Sequence, residues 1–155
     1  MSVTIRAATA DDVPIIVDMA LHFQDTTAYA HHLRATPSMM VRVVEQILTR
    51  EDAGLWLADN GGDVCGMLAA ALYVQPFSGE SIGAEIVWWM NPDARGGRTA
   101  IRLLREAERW AKDRGATTFQ MMAPVGKTGT ILELGRLYEA LHYEPIETHY
   151  QRRLM

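Results

Sequence analysis

The sequence predicts an α/β fold, a mixed sheet with helices on its faces in the order β-α-α-β-β-β-α-β-α-β-β, as one domain over residues 1–155. Three observations predict it. Strand-like and helix-like stretches alternate along the chain. Asn60-Gly61-Gly62-Asp63 lies between two apolar runs, which is hairpin chemistry because Asn-Gly adopts positive φ. A glycine turn, Ala94-Arg95-Gly96-Gly97-Arg98, joins an apolar strand to a long amphipathic helix.

The elements follow in order. Val3 to Ala7 alternates as a short strand. Thr9-Ala10-Asp11-Asp12 is a capping box, with Thr9 as N-cap and an acid three residues on. Val13, Ile16, Val17 and Ala20 then recur at helical spacing, and this helix fades near Gln24. Residues 25–37 are polar and carry Tyr29, His31 and His32. A second helix begins near Thr36 or Ser38 and puts Met40, Val43, Val44 and Ile47 on one face. Leu55 to Asp59 and Val64 to Tyr73 are the hairpin strands. After a loop with Pro76 and Gly79 comes the strand Ala84 to Met90. The helix from about Thr99 to Arg114 buries Ala100, Leu103, Leu104, Ala107, Trp110 and Ala111, and Gly115 stops it. Thr117 to Ala123 is a strand, Ile131 to Leu141 a helix, and Tyr143 to Ile146 and Thr148 to Leu154 are closing strands.

Composition narrows the function. A chain of 155 residues with 48% hydrophobic and 22% charged residues buries a real core. A formal charge of −4 argues against nucleic acid, which needs a basic face. No apolar run reaches the roughly 18 residues of a membrane span, and Met1 to Arg6 lacks a signal-peptide core. The one cysteine, Cys65, has no internal disulfide partner, which predicts a reducing, cytoplasmic setting.

The glycine turn carries the chemistry. The first N–H groups of a helix have no intrahelical partner, and the helix dipole is positive there. Arg95 and Arg98 add charge beside them, so the turn suits a phosphate. A plain strand-to-helix connection also needs such glycines. Glu85 is a carboxylate in an otherwise apolar strand and requires a partner or water. It reads either as a buried acid with a raised pKa or as a strand-end residue facing solvent. Tyr138 lies on the apolar stripe of Leu134, Leu137 and Leu141, where a core tyrosine is the simplest reading. Gly126-Lys127-Thr128 ends like a nucleotide-binding loop, but Met121 stands where the first glycine is required. His22, His31 and His32 have no acid or cysteine at a ligand spacing, so no metal is expected.

Met90-Asn91-Pro92, then Arg95 to Ala100, resembles the acyl-CoA motif of the GNAT superfamily of N-acetyltransferases. The superfamily's pattern is R/Q-x-x-G-x-G/A after a V-x-P lead. Arg95 matches its first position and Ala100 its last, while Arg98 stands at its central glycine. Arg136-Leu137-Tyr138-Glu139-Ala140-Leu141-His142-Tyr143 resembles the family's L-Y-E-x-x-G-F helix end, with His142 at its glycine and Tyr143 at its phenylalanine. The resemblance implies acetyl-CoA as cosubstrate, its pyrophosphate on Arg95, Gly96, Gly97, Arg98, Thr99 and Ala100, and its pantetheine along Trp89 and Met90. It implies Glu85 as general base and Tyr138 as the acid that protonates CoA thiolate. The acceptor it implies is an amine, on a small molecule or a peptide, bordered by segments 25–37 and 74–82. It implies no metal, nucleic-acid or membrane partner, and is compatible with a homodimer. A non-catalytic acyl-CoA-binding or regulatory module is the alternative.

Overall fold

The computed structural model describes residues 2–128 and 133–154. Among them five strands form one sheet in the order β1-β2-β3-β4-β5: β1 Thr4–Ala7, β2 Ala53–Asn60, β3 Asp63–Val74, β4 Ser81–Met90 and β5 Thr118–Gln120. The first four pair antiparallel and β5 joins β4 in parallel. The helices are α1 Val13–Thr26, α2 Pro37–Thr49, α3 Arg98–Asp113 and α4 Leu134–Ala140. The mixed α/β architecture expected from the sequence is therefore the one observed.

Strand alternation sends side chains to two cores. On one face α1 and α2 cover Leu55, Leu57, Met67, Ala69 and Trp89; on the other α3 covers Trp56, Leu68, Ala70 and Met90. The α3 stripe is buried as the sequence predicted, through Leu103, Leu104, Ala107 and Ala111. The hairpin turns at Gly61-Gly62, with Asn60 paired to Asp63 and both glycines at positive φ. Thr9 and Asp12 form their capping interaction, the Asp12 carboxylate accepting the Thr9 N–H at 2.8 Å. The same carboxylate receives both terminal nitrogens of Arg6, which also reaches Asp59 at 2.7 Å, so β1, β2 and the start of α1 share one ion network.

Two expectations are corrected. The strands predicted at Tyr143–Ile146 and Thr148–Leu154 do not form, and residues 144–154 are exposed throughout. A ladder needs a neighbouring edge. The strand on that side, β5, pairs over only three residues before its chain leaves β4, and Pro145 has no N–H to give. For the same reason β5 stops at Gln120 and not at Ala123. The predicted start of the last helix, Ile131, lies outside the described residues.

The end of α4 differs from expectation in an instructive way. His142 has φ 68°, the left-handed conformation usually left to glycine. Its N–H donates to the Glu139 carbonyl at 3.0 Å, and the Tyr143 N–H donates to the Tyr138 carbonyl at 2.9 Å. This is a Schellman closure built with a histidine. Replacing His142 with glycine should relieve the strain and stabilise the protein by about 0.5–1 kcal/mol, a rise in Tm of roughly 1–4 °C by calorimetry. No gain would mean that the imidazole makes compensating contacts.

Candidate active site at the parting of two strands

β4 and β5 pair only through Ile82–Thr118, Gly83–Phe119 and Ala84–Gln120, and then separate. At the point of parting β4 carries a bulge. Ala70 pairs with Glu85 and Ala69 with Val87, leaving Ile86 as an extra residue. The bulge resets the alternation. Glu85, opposite Ala70, lies on the α3 face with Trp88, whereas Val87 and Trp89 pack toward α1 and α2.

Glu85 is 7% exposed, not solvent-facing. Its Oε2 accepts the Met122 N–H at 2.9 Å, across the opening between the strands. Burial pushes its pKa up to about 7, against the opposing pull of the Met122 and Trp88 backbone N–H groups. Tyr138 is 8% exposed, and its hydroxyl donates to the Met122 carbonyl at 2.6 Å. One residue, through its backbone N–H and its backbone C=O, thus joins the two candidate catalytic residues. Burial, and then the nearby Glu85 carboxylate, raise the Tyr138 phenol well above its ordinary range. Its ring stacks on Trp88 and leans on Tyr143, whose hydroxyl donates to Glu108 on α3 at 2.6 Å.

The glycine turn sits at the outer end of β4. Gly96 has φ 83°, which only glycine adopts without strain, and Gly97 is the N-cap of α3 with no side chain to satisfy the first-turn N–H groups. A Cβ built on Gly97 would meet nothing within 4 Å. Arg98 is the exposed first residue of α3, with Thr99 and Ala100 behind it. Arg95 folds back onto the strand: its Nε donates to the Met90 carbonyl at 3.0 Å, and its guanidinium lies 4.7 Å over the Trp89 ring. These groups fit a pyrophosphate: unpartnered N–H groups, two arginines and no side chain in the way.

The backbone of β4 refines one expectation. The Asn91 N–H donates to the Cys65 carbonyl on β3, so alternation turns Trp88 and Met90 toward the opening and Trp89 toward β3. Trp89 instead uses its side chain, donating from Nε1 to Asn91 Oδ1 at 3.0 Å. An extended ligand would therefore find the Trp88 carbonyl and the Met90 N–H, since the Trp88 N–H faces Glu85 and the Met90 carbonyl is engaged by Arg95.

On the opposite side, the segment after α1 is tied to the loop after β5. The Ala28 N–H donates to the Val125 carbonyl, Lys127 Nζ bonds Asp25 at 2.7 Å, and His31 Nε2 lies 2.7 Å from the Lys127 carbonyl oxygen. The histidines are dispersed: His22 stacks 6.4 Å from the Trp89 ring and His32 is exposed.

Residues 19–128 match the sequence profile of the Acetyltransferase (GNAT) family. The chain belongs to that family. A transcriptional regulator from Bacillus halodurans is similar at 25% identity, with a TM-score of 0.71 over 96% of this chain and 99% of that one. A predicted acetyltransferase from Clostridium acetobutylicum, solved with acetyl-CoA, is similar at 16% identity and TM-score 0.76 over 98% and 96%. An aminoglycoside 6′-N-acetyltransferase from Acinetobacter haemolyticus is similar at 17% and 0.74 over 98% and 99%. No curated protein sequence matches significantly.

Within this GNAT fold, nothing in the sequence points to Met122, whose backbone is the meeting point, nor to the extra residue Ile86. Both are ordinary apolar positions in the chain.

Glu85 generates a pH test. In the unfolded chain it titrates near 4.5, and in the fold near 7. The unfolded state therefore loses its proton first. Glu85 contributes most below pH 4.5, its contribution falls as pH rises through this window, and it is level above 7. Denaturant unfolding should show wild type losing about 2–4 kcal/mol relative to Glu85→Gln between pH 4.5 and 7. Parallel curves for the two proteins would place the Glu85 carboxyl at its ordinary pKa.

Proposed function

We propose that the protein transfers an acetyl group from acetyl-CoA to a primary amine by direct attack in a ternary complex. The observation that carries this reading is the convergence of Glu85 and Tyr138 on the backbone N–H and C=O of Met122, at the parting of two strands that opens beside the α3 N-terminus. The turn from Arg95 to Ala100 would hold the pyrophosphate, and the backbone of Trp88 and Met90 would pair with the pantetheine. The amine nitrogen attacks the thioester carbonyl carbon, the C–S bond breaks, and N–C is formed. The ammonium proton passes to Glu85, directly or through water. A carboxyl near pH 7 suits that transfer. The CoA thiolate takes its proton from the Tyr138 hydroxyl. The desolvation that raises the phenol also raises a thiol in the same site, which keeps the two matched.

A second reading, an acyl-CoA-binding module without turnover, is favoured by one feature: both candidate catalytic groups are bonded to Met122. Tyr138→Phe separates the two. It keeps the ring on Trp88 and deletes the proton donor. For an enzyme, kcat should fall about 10–10³-fold with little change in acetyl-CoA affinity. Unaltered turnover would leave Tyr138 as packing alone, and a wild type that binds acetyl-CoA but acetylates no amine favours the module.

Gly97→Val tests the phosphate turn. The ordinary φ of −103° and the open space accept a side chain, so stability should hold within about 0.5 kcal/mol. The branched side chain would stand where the pyrophosphate approaches, and the thermal shift given by acetyl-CoA should shrink. An undiminished shift would move the phosphate site elsewhere.

A further inference from the structure

On the face of β4 opposite Glu85, between the sheet, α1 and α2, lies a cavity of about 230 Å³. Ile16 and Ala20 of α1, Met40 and Val44 of α2, and Ile86 and Val87 of the bulge form much of its wall. Leu33 and Val43, 47% and 48% exposed, also line it and carry its wall out to solvent. Among the described lining residues none carries a charge, and only Gln24 and Tyr29 are polar. Asp25, next to Gln24, is paired with Lys127. The described lining therefore offers a cation no carboxylate, only the polar groups of Gln24 and Tyr29. The cavity offers a compact apolar group an apolar wall that opens to solvent only past Leu33 and Val43, and its volume exceeds the roughly 150 Å³ of dry protein cavities that take up benzene.

We infer that this cavity holds the apolar body of the acceptor, and that the acceptor is a small primary amine carried on a compact aryl or alkyl group, not a polycation. The inference rests on the acetyl-transfer reading above. Its physical basis is continuity: Ile86 and Val87 line the cavity and also form the bulge where β4 leaves β5. A group seated there presents its amine at the bulge, beside the strand opening. A polyamine or an aminoglycoside would have to bury charges against Leu33, Met40 and Val43 with no carboxylate to pair them.

The experiment compares 2-phenylethylamine, ethylamine, spermidine and kanamycin as acceptors, reading released CoA, with acetyl-CoA binding measured separately by calorimetry. The phenyl group should raise kcat/KM over ethylamine by roughly 10–100-fold, the scale of burying one aromatic ring. Spermidine and kanamycin should fall below phenylethylamine. Ala20→Leu fills the cavity, and Val43→Phe blocks its half-exposed rim if the first variant folds poorly. In either, the phenylethylamine-to-ethylamine ratio should collapse toward unity while acetyl-CoA still binds. Preference for spermidine or kanamycin overturns the inference, as does a ratio that survives both substitutions. Acetyl-CoA binding with no transfer to any of the four also overturns it. Absence of acetyl-CoA binding overturns the acetyl-transfer reading itself.

Discussion

Where β4 and β5 part, backbone groups lose their ladder partners, and Met122 is among the first. Leaving a buried N–H and C=O unpaired costs about 1–3 kcal/mol each. Glu85 takes the N–H from the β4 side and Tyr138 gives a hydrogen bond to the C=O from the α4 side. The opening is therefore spanned by the Glu85–Met122 bond, and Tyr138 holds the same residue from the other side. Much of the architecture serves those two bonds. The extra residue Ile86 turns Glu85 onto the α3 face, and the Schellman closure at His142 positions Tyr143, which leans on Tyr138 and is anchored to Glu108.

The same burial that makes these bonds necessary sets their protonation. Desolvation of Glu85 outweighs the two N–H groups that face it, and the carboxyl settles near neutrality. A group poised there can accept a hydrogen bond in one step and a proton in another. Tyr138 is pushed the other way from usefulness as a base and keeps its proton until a strong acceptor arrives. To release it, the hydroxyl must turn from Met122, which costs about the 0.5–1.5 kcal/mol of one hydrogen bond. Holding the opening and donating a proton in the proposed transfer would be compatible on that scale.

Local chemistry was legible in the sequence wherever one short segment decided the outcome. The hairpin at Asn60–Asp63, the capping interaction at Thr9 and the apolar stripe of α3 each depend on neighbours a few residues apart. Glu85 was legible as a problem, a charge inside an apolar strand, but not in its solution, because Met122 lies 37 residues away. The bulge at Ile86 leaves no compositional trace. The closing strands were misread because alternation in residues 143–154 says nothing about whether an edge exists to receive them. His142 shows the converse: the residue type argued against a left-handed end, and the two carbonyl partners at Tyr138 and Glu139 imposed it.

The bulge also explains how one strand serves two kinds of surface. In a regular strand, residues 85 and 87 share a face, and the wall beside Glu85 would continue that residue's polar environment. One extra residue breaks the parity. Glu85 and Trp88 stay with the buried hydrogen bonds on the α3 side, and Val87 joins Ile86 on the apolar wall under α1 and α2. The buried hydrogen bonds of Glu85 and the uncharged cavity are thereby kept on opposite sides of a single backbone, a few residues apart. Removing the extra residue would restore the regular alternation and put residues 85 and 87 on one face. The position of Ile86 thus fixes both the pairing of the carboxylate and the character of the pocket behind it.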